Sequence, residues 1–248
     1  MSDTIIKVSN INKSFRVGTQ DVVVLKNISF EVKSNDFLII FGPSGCGKST
    51  LLHLVLGLEE PTAGTVTFFD KEIWRKTTED ERSEFRKKNI GMVYQQPNWI
   101  KSLSVAENVA FPLLLLGVDK TKAKEKAIEI LKEVQMENWL GYIPTELSSG
   151  QQQKVALARA MVTEPKVIIA DEPTGNLDYE SGQELMKLLE KLNKEQGKTV
   201  IMVTHDLEYL DYSKTAIRMF DGEIAGTYQE NEKEKLMDEM KSKRGNGN

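Results

Sequence analysis

The sequence is poor in the features that several common functions require. A single cysteine, Cys46, excludes an internal disulfide and any metal site built from cysteine. The longest apolar run, 109–118, carries Pro112 and falls well short of the roughly 18 residues needed to cross a bilayer. No membrane-spanning segment is therefore expected. The opening Met1-Ser2-Asp3-Thr4 has neither a basic nor an apolar signal region, so a cytoplasmic protein is expected. A formal net charge of -4 gives no general attraction to nucleic acid, and no nucleic-acid partner is expected. The basic cluster at 82–88 is broken by Glu84 and reads as a solvated helix face. No internal repeat is present, which excludes two fused copies of one domain.

What is there is an ordinary globular composition, 40% hydrophobic and 28% charged over 248 residues, with room for one large α/β domain. Short strands are predicted at 5–8, 22–25, 29–32, 37–41 and 65–69, with a turn at 61–64. A strand at 90–94 follows, and then a mostly helical stretch. Ser104 and Glu107 match a capping box there, while Ala127, Ile130, Leu131 and Val134 recur at helical spacing. After Pro165 strands at 167–170, 199–203 and 215–220 alternate with helices at 179–196 and near Leu207, as parallel strands with helical crossovers do. Asp221-Gly222 reads as a hairpin turn into a last strand, and the charged segment 229–248 as a helix fragment followed by a disordered tail.

Gly42-Pro43-Ser44-Gly45-Cys46-Gly47-Lys48-Ser49-Thr50 fits the phosphate-loop pattern G-x-x-x-x-G-K-[ST], between an apolar strand and a helical run. Its glycines let the backbone wrap closely, so that N–H groups of the loop, including those of Ser44, Gly45, Cys46 and Gly47, can face phosphate oxygens. The following helix adds the positive end of its dipole. Lys48 supplies a mobile charge for the β- and γ-phosphates, and the Ser49 hydroxyl suits Mg²⁺. Further on, the apolar run 167–170 ends in Asp171 and Glu172. A buried strand releases such residues at the carboxyl edge of the sheet, where α/β folds bind ligands. Asp171 is placed to hold Mg²⁺ and Glu172 to polarise an attacking water.

With Leu147-Ser148-Ser149-Gly150-Gln151 ahead of Asp171, the sequence resembles the ABC ATPases over roughly 5–228. Ser149 stands where that family usually has glycine. The resemblance implies a P-loop NTPase fold, with a RecA-like, mostly parallel α/β core, an antiparallel β subdomain and a helical insert at about 98–162. It implies ATP and Mg²⁺ as ligands and a head-to-tail dimer in which Ser148, Gly150 and Gln151 reach the γ-phosphate held by a second copy. By the same resemblance Gln95 contacts Mg²⁺ and the attacking water, and Asp178 lies in the loop that communicates across the dimer. His205 is implied as the switch near the γ-phosphate, and Phe15 as the ring that stacks on adenine.

The runs Gly91-Met92-Val93-Tyr94-Gln95-Gln96 and Asp171-Glu172-Pro173-Thr174-Gly175-Asn176-Leu177-Asp178 are similar to the lipoprotein-release, macrolide-export and antimicrobial-peptide-resistance branch. That similarity implies a partner permease in the membrane with an extracytoplasmic domain, and a peripheral position on the cytoplasmic face. Trp99-Ile100-Lys101-Ser102 departs from the branch where the permease should dock. Other readings are a cassette that regulates a cell-wall enzyme or a sensor kinase, and a repair or translation ATPase. The last two would need a long coiled-coil insert or a second cassette, which the sequence lacks. A P-loop GTPase would need an Asn-Lys-x-Asp reader, and Asn193-Lys194-Glu195-Gln196 lacks the acid.

Overall fold

The computed structural model describes residues 3–75, 77–233 and 236. They fall into two compact units, one running up to Thr77 and resuming at Ile201, the other covering residues 78–200.

The first unit opens with two long antiparallel strands, β1 (Thr4–Val17) and β2 (Gln20–Lys33). Sequence patterning suggested shorter, separate strands because the apolar alternation lapses around Asn10 and Asn27. The structure bridges those lapses with irregular register between Val8 and Lys13. Asn10 and Asn27 take positive φ of 51° and 50°, conformations that asparagine tolerates, and their side-chain amides bond at 2.9 Å. With β4 (Ala63–Phe68) and β5 (Lys71–Glu72), these strands form an antiparallel sheet ordered β2-β1-β4-β5. β4 begins at Ala63, inside the stretch that reads as a turn. Ile6, Ile11, Leu25, Ile28, Val66 and Phe68 are fully buried in this sheet.

A second set of strands runs β10-β9-β3-β8, where β3 is Phe37–Phe41, β8 Thr199–Thr204, β9 Thr215–Phe220 and β10 Glu223–Gln229, all within the same unit except the first two residues of β8. β3 and β9 are parallel, and every residue of β3 is buried, as its unbroken apolar run requires. The β9–β10 hairpin turns at Asp221 and Gly222, both with positive φ (47° and 76°), as a tight two-residue turn demands. A helix, α1 (Lys48–Val55), follows the loop after β3. The segment expected to form a helix fragment followed by a disordered tail begins as the end of β10 and a 3₁₀ turn at Glu230–Glu232. Its stretches 234–235 and 237–248 lie outside the described residues.

The second unit carries α2 (Glu79–Asn89), β6 (Ile90–Tyr94), α3 (Val105–Leu115), α4 (Lys120–Glu133), α5 (Ser149–Met161), β7 (Val167–Asp171) and α6 (Tyr179–Lys194). α2 buries none of its residues; acids fill its first turn and bases its last, which complements the helix dipole. The basic cluster, expected as a solvated face, is only partly so: Arg82 and Arg86 are largely covered and pair with Glu79, while Lys88 is exposed. β6 and β7 pair in parallel, with Tyr94 opposite Asp171. α5 lies so close to β6 that a Cβ on Gly91 would stand 2.2 Å from the Ala160 carbonyl oxygen. Ala123, Ala127, Ile130 and Leu131 form the buried stripe of α4. Among the described residues no helix is long and apolar enough to cross a membrane.

The start of α3 is fixed by the expected Ser104–Glu107 capping box and by Asn108, which is fully buried. The Asn108 amide accepts from the Ile100 N–H at 3.0 Å and donates to the carbonyls of Ile100, Leu103 and Ser104. One side chain thus ties together the two ends of the 100–104 turn. Asn108→Ala is expected to lower the stability of the protein by about 2–4 kcal/mol, because buried backbone groups lose their partner and a cavity remains. Chemical denaturation of the variant beside the wild type measures this, and a change below about 0.5 kcal/mol would contradict it.

Candidate functional site

In the first unit the buried strand β3 delivers its chain directly into the 42–50 loop. Gly42 cannot carry a side chain, because a Cβ there would lie 2.2 Å from the Met219 carbonyl oxygen on the neighbouring strand. Gly47 has φ of 99°, and a Cβ on it would meet Leu25 Cδ2 at 2.7 Å. The backbone is therefore pressed against β2 and β9 at two points, and the tip between them, Pro43 to Gly45, is exposed. Cys46 is buried; its carbonyl accepts from the Gly222 N–H at 3.2 Å, and its own N–H donates to the Pro43 carbonyl at 3.4 Å. Lys48 is only 5% exposed, and its ammonium donates to the Gly42 and Pro43 carbonyls at 2.9 and 3.0 Å. Those bonds fold the charge back over the loop that α1 follows. Ser49 is exposed in the first turn of α1 and Thr50 half-buried.

Two further candidates belong to this unit. Phe15 is half-exposed on β1, with the Lys13 ammonium 4.6 Å from its ring centroid. Lys13 is itself buried, and it bonds the Glu59 carboxylate at 2.5 Å and the Glu60 carbonyl at 2.8 Å. This cation was not legible in the sequence, where a lysine two residues before an aromatic in a strand looks like a solvated neighbour. His205 is exposed just beyond β8, where the Asp206 N–H turns back to the Thr204 hydroxyl at 3.0 Å.

The remaining candidates lie in the second unit, at the carboxyl ends of β6 and β7. Val167 to Ala170 are fully buried, so Asp171 and Glu172 are the first residues of that strand and its loop to reach partial exposure. Glu172 adopts φ of 46°, a left-handed conformation uncommon for a carboxylate residue and of the kind stored at functional sites. Beside it, the Gln95 carbonyl accepts from Gln153 Nε2 at 2.8 Å and from Asn176 Nδ2 at 3.5 Å. A Cβ on Gly175 would lie 2.6 Å from Gln95 Nε2. Gln95 and the 175–178 loop therefore lie together. A cleft of about 160 Å³ opens here, lined by Gln95, Ser149, Gln152, Gln153 and Asn176 among others.

Two helices start beside this cleft. Ser148 is the N-cap of α5; its hydroxyl accepts from the Gln151 N–H, while the Gln151 side chain accepts from the Ser148 N–H at 3.0 Å. The serine thus caps its own helix, and Ser148 remains exposed at a helix N-terminus. Asp178 caps α6 in the same way. The Ser181 N–H and then its hydroxyl hold the Asp178 carboxyl below the usual carboxylate range. The two N-termini touch, because a Cβ on Gly150 would stand 2.7 Å from Ser181 Oγ.

Trp99, at the departure from the branch pattern, is held against α5. Its indole N–H donates to Gln152 Oε1 at 2.9 Å, and Arg159 stacks on its ring at 4.5 Å. Burial pushes the Arg159 guanidinium below its ordinary value, and the arginine also donates to the Asn98 carbonyl at 2.8 Å.

A phosphate loop, a strand ending in two acids and paired helix N-termini define a class of nucleotide-handling cassette, and comparison with known families makes the class explicit. The profile described as ABC transporter matches residues 25–175. This chain belongs to the ABC transporter family, with the α/β P-loop NTPase fold of its cassettes. It is 43% identical to an ABC transporter ATP-binding protein of Methanocaldococcus jannaschii, over 88% of this chain and 97% of the other. It is 40% identical to the lipoprotein-releasing system ATP-binding protein LolD of Idiomarina loihiensis, over 84% of this chain and 91% of that protein. Among solved structures, the dimeric post-hydrolysis state of the ATP-binding cassette MJ0796 bound to ADP and Pi aligns with a TM-score of 0.85 at 37% identity, covering 91% of this chain and 99% of that one.

The loop geometry makes a direct prediction. Gly42→Ala places a methyl group against a strand carbonyl that cannot move alone, so the loop must shift. Its affinity for a nucleoside triphosphate should fall at least about tenfold. Nucleotide titration by calorimetry checks this; wild-type affinity would show that the close approach does not set the loop.

Proposed function

We propose that this chain is the ATP-binding and ATP-hydrolysing subunit of an ABC transporter, closing on ATP with a second copy of itself and driving a partner permease. The observation that carries the reading is the loop 42–50, pinned at Gly42 and Gly47 and holding the buried Lys48 ammonium. It is a nest of N–H groups backed by one positive charge, which suits the β- and γ-phosphates of ATP. Membership of the family and likeness to a cassette solved with ADP and Pi support the same substrate.

In this reading the backbone of residues 44–47, with Lys48 and Thr50, holds the phosphates, and Phe15 offers its ring to adenine. The residues present fit Mg²⁺, a hard cation that prefers oxygen: Ser49 offers an exposed hydroxyl, Gln95 an amide oxygen and Asp171 a carboxylate. When bound, the ion neutralises charge developing on the transferred phosphoryl group. Glu172 accepts the proton of the attacking water as the water's oxygen bonds to the γ-phosphorus and the bond from that phosphorus to the β–γ bridging oxygen breaks, releasing ADP and phosphate, and Gln95 and His205 orient the reactants. Ser148, Gly150 and Gln151 present their helix N-terminus to the γ-phosphate held by the second copy, with Asp178 at the contact between copies. Hydrolysis removes the shared anion and lets the copies part.

The domain assignment follows from this reading. A nucleotide-binding domain occupies 1–228, with a helical subdomain at about 98–162 that faces the permease, and 229–248 form a separate charged segment. The 40% identity to LolD supports an export or mechanotransmission system, whose permease carries an extracytoplasmic domain, with this subunit peripheral on the cytoplasmic face. The Trp99 segment, held by Arg159 and Gln152, belongs to the surface offered to that permease. Affinity purification of the tagged full chain from native membranes tests the partner. Recovery of a permease with a large external domain is expected, and recovery of only a cell-wall hydrolase system or a sensor kinase would favour a regulatory role.

Glu172→Gln is expected to cut turnover by a factor of about 10² to 10⁴ while keeping ATP affinity, and to accumulate an ATP-bound dimer by size-exclusion chromatography. Normal turnover in this variant would remove Glu172 as the base. Lys48→Ala is expected to lose ATP binding itself, and unchanged affinity would remove Lys48 from the phosphate site.

A further inference from the structure

Gln153 is 97% buried, by its 3% exposure, yet lies in the first turns of a helix whose preceding glutamines are only half-buried. Its Nε2 donates to two consecutive carbonyls, Tyr94 at 3.1 Å and Gln95 at 2.8 Å. These are the last residue of β6 and the first residue of the loop beyond it. Two carbonyl acceptors oblige the nitrogen, not the oxygen, to face them. The Gln153 Oε1 is buried and meets no donor among the described residues. Such an orphan is unfavourable, and the two bonds made by the nitrogen of the same amide offset it. The same Gln95 carbonyl also receives Asn176 Nδ2 at 3.5 Å.

We propose that Gln153 is a positioning residue for ATP hydrolysis, tying the backbone of Gln95 to the helix that begins at Ser148. Resting on the role given to Gln95 above, the proposal says how that residue is set. The two bonds fix the point where the Gln95 loop leaves β6, and therefore the direction of the Gln95 side chain. They also oblige the loop and α5 to move together. Gln153 touches no reacting atom; its effect passes through Gln95.

The test uses three variants of the full chain, each assayed for ATP binding by calorimetry, for steady-state hydrolysis and for thermal unfolding. Gln153→Met keeps the volume and removes both donors. It should lower kcat by about 10- to 100-fold with ATP affinity within about twofold of wild type, as displacement of a catalytic side chain does. Gln153→Asn keeps an amide but shortens the side chain by one methylene, so that it no longer reaches both carbonyls. It should likewise lower kcat while ATP affinity stays within about twofold of wild type. A purely structural role would lower ATP affinity and thermal stability together with kcat.

Wild-type kcat in Gln153→Met, or equal loss of ATP binding and kcat in either Gln153 variant, would each overturn the proposal. Gln95→Ala run in parallel separates the two readings. If it hydrolyses ATP normally, the role of Gln95 falls; if it is impaired while Gln153→Met is not, only the inference about Gln153 falls.

Discussion

Burial on both faces of two short strands is the constraint from which the chemistry follows. β3 is apolar and buried throughout, and β7 is fully buried from Val167 to Ala170, so neither can display a polar group until it ends. Each then ends abruptly, in Gly42 for one and in Asp171 and Glu172 for the other. A strand sealed along its length concentrates function at its carboxyl edge, because only there can backbone N–H groups and carboxylates remain accessible without an unpaired group in the core. The same seal gives precision. The loop after β3 is held by packing at Gly42 and Gly47, and the acids after β7 start from a strand in fixed register with β6.

Helix caps supply the second layer. Ser148 and Asp178 each satisfy the first turn of their own helix, and the helices meet where Gly150 faces Ser181. Capping and anion recognition draw on the same physical property, the unpaired N–H groups of a first turn. A serine at a cap can therefore stabilise a helix and still leave that end electropositive. Capping by Ser148 and recognition of an anion at the same helix end are therefore both compatible with the folded chain.

Much of this was legible before folding. The phosphate loop, the acids after 167–170, the Ser104–Glu107 box and the hairpin at Asp221-Gly222 are local patterns, and local patterns survive into the structure because short-range geometry decides them. The continuity of β1 and β2 was not legible, since asparagines at positive φ interrupt the apolar alternation without ending the strands. The cation behind Phe15 was hidden as well: Lys13 is buried by Glu59 and Glu60, which are distant in sequence. Gln153 was missed among three consecutive glutamines, although a signal existed. It lies four residues before Leu157 and seven before Ala160, both buried, and so belongs to the apolar stripe of α5.

Those three glutamines divide the labour of one helix turn. Gln151 bonds the Ser148 N–H, Gln152 joins the Leu147 carbonyl to the Trp99 indole, and Gln153 reaches the carbonyls of Tyr94 and Gln95. Neighbouring positions on an α-helix point about 100° apart, so identical side chains serve different directions. It follows that this turn has a phase as strict as a reading frame. A single inserted or deleted residue between Ser148 and Gln153 would hand each amide its neighbour's task. Variation among chains of this kind should accordingly be recorded here as substitutions, and as gaps only elsewhere.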